Sequence, residues 1–106
     1  MRLKVSEKEI QKTILDYLHL RGIFAWRNNT GAFRSVYNGK ERFHRFGTPG
    51  SGDILGLTKQ GKFFSIEVKA PGNKVTPDQE RFMTEVRANQ GIAFVAYSVD
   101  DVEAFI

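Results

Sequence analysis

The residues best suited to chemistry are two carboxylates and a lysine in the stretch from Gly52 to Ala70. Asp53 precedes the apolar run Ile-Leu-Gly-Leu, and Glu67 and Lys69 alternate with apolar residues in Ser-Ile-Glu-Val-Lys. Two carboxylates held close together repel each other, and a divalent cation between them relieves that repulsion. Asp53, Glu67 and Lys69 are therefore a candidate metal-dependent site. The alternative is a surface ion pair on an edge strand, which the apolar neighbours of Glu67 disfavour.

Two runs rich in β-forming residues carry these side chains, and a turn-forming Lys-Gln-Gly separates the runs. This pattern predicts an antiparallel hairpin. If residues 59–61 form the loop, Thr58 pairs with Lys62, and Asp53 then lies opposite Glu67 with Cβ atoms about 5 Å apart. A loop of two or four residues would turn Asp53 to the other face. The apolar residues do not choose between these registers, because both faces of the hairpin look buried.

The N-terminal region predicts a helix from Ser6 to Arg21, with an apolar stripe made of Ile10, Ile14, Tyr17 and Leu18. Glu9 has two interpretations in this helix. In a capping box, Glu9 bonds back to the amide of Ser6. Alternatively, Glu9 is a helical carboxylate that reaches a metal held by Asp53. Loss of a cap would cost about 1 kcal/mol of stability, whereas loss of a ligand would cost activity.

The segment from Gly31 to Phe46 interleaves basic and aromatic residues around an Asn-Gly pair that signals a two-residue hairpin turn. Basic residues with aromatic rings suit phosphate contact and base stacking. The basic residues predicted to contact DNA are Arg34, Lys40, Arg42 and Arg45 in this segment and Lys74 beyond it, and the predicted stacking rings are Phe33, Tyr37 and Phe43. An ordinary solvated hairpin and a subunit contact through the same rings are the alternatives.

The C-terminal part predicts, in order, a helix that begins at Thr76-Pro77 and ends at Gly91, a strand from Ile92 to Tyr97 and a short helix from Val99 to Ile106. Gln79 has the spacing of a capping box with Thr76. Gln79 also lies on the apolar stripe that must pack against the sheet, so its amide needs a buried partner. The face that carries Asp53 and Glu67 would provide one.

The composition sets the broad class of the protein. A chain of 106 residues without a linker or repeat predicts a single domain over residues 1–106. No window approaches the roughly 18 apolar residues of a membrane span, and no secretory signal is recognisable. The absence of cysteine excludes thiolate metal sites and fits a reducing compartment. A net charge of +4 modestly favours a polyanionic partner. We therefore expect a cytoplasmic protein with no membrane contact.

A short strand is also predicted from Ile23 to Asn28, before the two strands that carry Asp53 and Glu67. The resulting order of helix, three strands, helix and strand resembles the α/β core of the PD-(D/E)XK restriction-endonuclease-like fold, α-β-β-β-α-β, here with an inserted hairpin and a short C-terminal helix. Within that fold, Glu9, Gly-Ser-Gly-Asp53, Ile-Glu67-Val-Lys69 and Gln79 resemble the VRR-NUC family, small replication and repair nucleases common in phages. One departure is Gly52, which stands where the family has proline and weakens the expectation that Asp53 is rigidly held.

The resemblance implies a metal-dependent endonuclease acting on DNA. Asp53 and Glu67, with the Val68 carbonyl, would hold Mg²⁺ or Mn²⁺, and Glu9 would assist through a water in the metal shell. Lys69 would orient or help deprotonate the attacking water.

The same resemblance implies that Gln79 holds Lys69 or a substrate phosphate in place. It also implies that the substrate is branched or flapped DNA. Because a DNA junction is symmetric and a small domain offers little surface, we expect a homodimer. The cytoplasm would be that of a host cell if a phage encodes the chain. The alternative function is a nucleic-acid-binding module that keeps the nuclease fold without catalysis.

Overall fold

The computed structural model describes residues 5–106 and has a mixed α/β fold. Along the chain the elements are α1 (Glu7–Leu20), β1 (Phe24–Arg27), β2 (Gly31–Tyr37), β3 (Lys40–Phe46), β4 (Ile54–Leu57), β5 (Phe63–Val68), α2 (Pro77–Ala88), β6 (Ile92–Ala96) and α3 (Val99–Glu103). The first four residues of the predicted domain lie outside the described residues. Within residues 5–106, no helix is long and apolar enough to cross a membrane.

A four-stranded sheet in the order β1-β4-β5-β6 forms the centre of the fold. β4 is antiparallel to β1 and β5, whereas β5 and β6 are parallel and joined through α2. β5 is a central strand, and all of its residues except Phe63 are buried. α1 packs Ile14 and Leu18 into the main core with Phe64, and α2 packs Met83 against the other face. This mixed sheet agrees with the predicted α/β class.

The register of the β4–β5 hairpin is the one predicted for a three-residue loop. Ile54 lies opposite Ile66, and the N–H of Thr58 donates to the carbonyl of Lys62 at 2.8 Å. Gly61 has φ of +84°, which glycine adopts without the strain of a side chain. Asp53 therefore enters the sheet one step before Ile54, on the side of the strand that faces α2.

Capping fixes where the two long helices begin. The hydroxyl of Ser6 accepts a hydrogen bond from the N–H of Glu9 at 3.2 Å. The second helix has a complete capping box between Thr76 and Gln79. α2 ends at Ala88, and the residue with left-handed backbone there is Gln90, with φ of +72°, rather than the predicted Gly91.

β2 and β3 form a separate two-stranded sheet, here called the arm (residues 31–46). Tyr37 pairs with Lys40, and the two turn residues between them, Asn38 and Gly39, have φ of 51° and 74°. Positive φ at both positions is the geometry of a type I′ hairpin turn, as Asn-Gly predicts. Neither strand of the arm pairs with the four-stranded sheet, so the arm projects from the core.

The loop of residues 47–52 connects the arm to β4 and packs against the first turn of α2. Gly50 has φ of +78°, and a Cβ atom there would collide with the backbone of Asp78 and Gln79. This close approach requires glycine at position 50. The loop thereby ties the base of the arm, the start of β4 and the start of α2 together.

Candidate active site

Asp53 is held by hydrogen bonds to the strands on both sides of it. Its N–H donates to the carbonyl of Ile66 at 2.8 Å, and its carbonyl accepts from the N–H of Asn28 at 2.8 Å. Its side-chain Oδ2 accepts from the N–H of Val68 at 2.8 Å. Both the backbone and the carboxylate of Asp53 are therefore fixed against β5.

Gly52 contributes to this placement through its own amide. The N–H of Gly52 donates to the buried Ser65 hydroxyl at 3.1 Å, and its carbonyl accepts from Nδ2 of Asn28 at 2.9 Å. Proline has no N–H to donate, and a Cβ at position 52 would collide with the Ser65 hydroxyl. The departure from the family's proline therefore does not leave Asp53 loose, because Gly52 makes a bond that proline could not make.

Glu67 is the buried carboxylate of the site, with only 4% of the residue exposed on the central strand β5. Its Oε1 accepts a hydrogen bond from Nε2 of Gln79 at 2.9 Å and lies 3.6 Å from Nζ of Lys69. Oε1 of Gln79 also accepts a hydrogen bond from the N–H of Thr76 at 2.8 Å. The Gln79 amide thus completes the capping box and also bonds a buried partner. That partner is Glu67, whereas the family resemblance implied Lys69 or a substrate phosphate.

Burial and mutual repulsion shift both carboxyl groups toward their neutral forms. Burial is the main cause that raises the pKa of Glu67 to about 8, and the negative charge of Asp53 adds to the shift against the opposing charge of Lys69. Burial also raises the pKa of Asp53, although the N–H of Val68 and the hydrogen bond with Glu67 oppose that rise. Without a cation, the pair therefore resists carrying two negative charges.

Of the two glutamates at the start of α1, Glu7 is half-buried and Glu9 is exposed, and the sequence analysis considered only Glu9. Glu7 is half-buried, accepts from Nδ2 of Asn73 at 2.7 Å, and its charge contributes to the raised pKa of Asp53. Glu9 is exposed, and its backbone makes its hydrogen bonds: the N–H donates to the Ser6 hydroxyl and the carbonyl accepts from the Thr13 hydroxyl. Helical phase was the available signal, because Glu7 lies three residues before the buried Ile10 and thus on the helix face that packs inward.

The protein ligands available to a cation are few. Within residues 5–106, no group of three or more histidine, cysteine, aspartate or glutamate side chains is arranged to hold a metal ion. The group of Val68 that bonds Asp53 is its N–H, whereas the sequence analysis assigned its carbonyl to the metal. Two carboxylates are nevertheless a set that suits Mg²⁺, which keeps several waters and binds through one or two carboxylates together with substrate phosphates. The donor chemistry of Asp53 and Glu67 therefore fits this ion.

The residues predicted to contact DNA all lie exposed, at two locations. Arg34, Lys40, Arg42 and Arg45 lie on the arm, and Lys74 lies in the connection between β5 and α2. His44 stacks on Phe33 with ring centroids 4.7 Å apart and shares a 2.7 Å hydrogen bond with Ser35. His44 is thus part of the arm surface.

Comparison with known proteins identifies the domain family of the chain. The model of the VRR-NUC domain matches residues 5–100, which span α1, both sheets, α2 and β6. Among curated proteins, none matches the chain. The match includes every element that contributes a side chain to the Asp53 and Glu67 pair.

The raised pKa of Glu67 predicts a pH-dependent loss of stability in the metal-free protein. Below the unfolded-state pKa of 4.5, Glu67 is protonated in both states and costs nothing. Stability should fall as pH rises above that value and level off above about 8, because ionisation is penalised only in the folded state. Thermal melts in EDTA from pH 5 to pH 9 measure this. Glu67→Gln should melt at the parent temperature at pH 5 and roughly 5–10 °C higher at pH 9.

Other groups also titrate over this range, so Glu80→Gln provides the matched control. Glu80 is exposed on α2, and its replacement should follow the parent at every pH. Curves for Glu67→Gln and the parent that stay parallel from pH 5 to pH 9 would show that Glu67 ionises freely.

Proposed function

The chain belongs to the VRR-NUC family of nuclease domains, and from this membership we propose that it is a metal-dependent endonuclease that hydrolyses phosphodiester bonds in DNA. The observation that carries the proposal is the pairing of Asp53 with the buried Glu67, beside Lys69 and at the start of α2. A like-charged pair with raised pKa values is poised to accept a cation.

Asp53 and Glu67 would hold Mg²⁺ or Mn²⁺, with the Val68 carbonyl as a further ligand. A helical glutamate would act through a water in the metal shell, and Glu7, which is half-buried and influences Asp53, is better placed for this role than the exposed Glu9. Such an ion neutralises charge on the phosphate oxygens and makes water more acidic. The low exposure of Glu67 supports this assignment, because a buried carboxylate keeps fewer competing waters.

The remaining residues of the site act on the water and on the carboxylates. In hydrolysis, a water oxygen attacks phosphorus, one phosphorus–oxygen ester bond breaks, and the leaving oxygen takes a proton. Lys69, whose side chain is 11% exposed, would orient that water and offset the negative charge that develops. Gln79 would keep Glu67 in its position through the 2.9 Å hydrogen bond.

The finer expectation is a structure-selective enzyme acting on junctions or flaps during replication, recombination or repair, in the cytoplasm of its host cell if a phage encodes it. A non-catalytic DNA-binding module is the alternative. Incubation of labelled linear, nicked, flapped and four-way DNA, with Mg²⁺ and with EDTA, separates the two. Cleavage that needs Mg²⁺ supports the enzyme, and DNA binding without cleavage of any substrate supports the module.

Substitutions in the site should abolish cleavage and spare binding. Asp53→Asn, Glu67→Gln and Lys69→Ala should each lower the cleavage rate by about 10²-fold or more, because each removes charge that the reaction uses. DNA binding in Ca²⁺ should survive. Near-normal cleavage by one of these variants would remove that residue from the site.

The helical glutamates provide a matched pair for the same assay. Glu7→Gln should slow cleavage by about 10-fold, because it removes a negative charge near Asp53 that helps to attract a cation. Glu9→Gln should leave the rate unchanged if Glu9 lies outside the site. A loss confined to Glu9→Gln would reverse this assignment.

We further infer that the working form is a homodimer. α2 covers only the β5–β6 half of its sheet face, and the β1–β4 half exposes Phe24, Trp26 and Leu57 at 67%, 40% and 38%. β1 pairs with β4 alone among the described strands, so one of its edges is open to a strand from a second copy. The patch shares the face of Asp53, so a second copy there would bring two sites near one symmetric substrate.

Light scattering tests the dimer and its contact surface. The parent should have the mass of two chains at micromolar concentration, and Trp26→Ser should shift it toward the monomer because it removes an exposed aromatic anchor. Tyr37→Ser on the arm is the control, which changes mass only if the arm makes the contact. A parent that is monomeric, with cleavage first order in protein, would contradict the dimer.

A further inference from the structure

The arm carries most of the protein's excess positive charge. Its four basic residues and the acidic Glu41 give residues 31–46 a net charge of +3, out of +4 for the whole chain. This charge lies on a ribbon that projects from the core. Concentrated positive charge on a projecting element is the distribution that attracts a polyanion.

The two faces of the arm are chemically different. The register places Arg34 opposite Phe43, and alternation puts Arg45 on the same face. The guanidinium carbon of Arg45 lies 5.6 Å from the centre of the Phe43 ring. Lys40 and Arg42 lie on the opposite face, together with the paired side chains of Phe33, Ser35 and His44.

The base of the arm borders the start of α2, where Arg45 lies on one face of the arm and Phe46 on the other. A groove with a volume of about 370 Å³ separates the base of the arm from the start of α2, and its lining includes Phe43, Arg45, Gly50, Thr76 and Gln79. Of the four basic residues of the arm, Arg45 alone lines this groove. Asp78 also lines it, and its carboxylate is paired with Arg81 at 3.3 Å. Asp53 and Glu67 do not line the groove, but Gln79, which does, donates a hydrogen bond to Glu67, so the groove adjoins the carboxylate pair through this side chain.

We propose that this groove holds the sugar–phosphate backbone of the DNA strand that is cut, with Arg45 on a phosphate and Phe43 against the neighbouring sugar and base. Arg34, opposite Phe43, contacts the next part of the same strand. The inference rests on the proposed nuclease function and narrows DNA contact from the whole arm to one face. Lys40 and Arg42 contribute only to the general electrostatic field.

Two arginines on the same strand make a matched test. Arg45→Gln and Arg42→Gln remove the same charge from exposed positions of β3, on opposite faces. Fluorescence anisotropy with labelled duplex and flapped DNA, in Ca²⁺ and at several salt concentrations, measures binding. Arg45→Gln should weaken binding by about 10-fold and reduce the salt dependence by about one phosphate contact, whereas Arg42→Gln should weaken it by less than about 3-fold.

Phe43→Ala and Phe33→Ala extend the comparison to the rings. Loss of stacking should weaken binding in the Phe43 variant and not in the Phe33 variant. Circular dichroism melts check that every variant remains folded. Equal losses for both arginines, or a larger loss for Arg42→Gln, would overturn the groove as the path of the strand.

The outcomes separate this inference from the nuclease proposal. Metal-dependent cleavage with equal effects of the two arginines overturns the groove alone. Asymmetric binding by a protein that cleaves no DNA in Mg²⁺ overturns the nuclease alone and keeps the groove. If both proposals hold, the parent should cleave DNA, and Arg45→Gln should lose more of that cleavage than Arg42→Gln.

Discussion

The structure depends on the burial of one carboxylate on the central strand of the sheet. Glu67 is removed from water next to Asp53, and an ionised carboxylate in such a position is costly unless it is paired and hydrogen-bonded. Gln79 donates to it and Lys69 lies beside it, yet the pKa remains raised. The joint ionisation of Asp53 and Glu67 is therefore unfavourable in the fold, and a divalent cation bound between them would relieve this cost.

The surrounding elements serve to hold this pair in place. The N–H groups of Val68 and Gly52 fix the carboxylate and the backbone on either side of Asp53. Gly50 lets the loop before β4 approach the backbone of α2, so the helix that supplies Gln79 and the strand that follows Asp53 are joined. The arm leaves the core at the same loop, so its base lies beside the start of α2.

Local signals predicted most of the fold. The turn residues Lys-Gln-Gly predicted the hairpin, and the structure has the three-residue loop that puts Asp53 beside Glu67. The sequence did not exclude loops of two or four residues, because both faces of the hairpin are apolar. The Asn-Gly turn likewise predicted the arm. The choice of Glu9 over Glu7 failed to use the helical phase set by Ile10. The groove between the arm and α2 could not be predicted, because it depends on the close packing of Gly50, in the loop after the arm, against a part of α2 that is distant in the sequence.

The central claim is that Asp53 and Glu67 together form one divalent cation site, and calorimetric titration with Mn²⁺ in the absence of DNA tests it most directly. The parent should bind Mn²⁺ at one site per chain, Asp53→Asn and Glu67→Gln should each lose that binding, and Glu9→Gln should retain it. Binding that persists with unchanged affinity and stoichiometry in Glu67→Gln would contradict the account, because the buried carboxylate would then have no part in holding the metal.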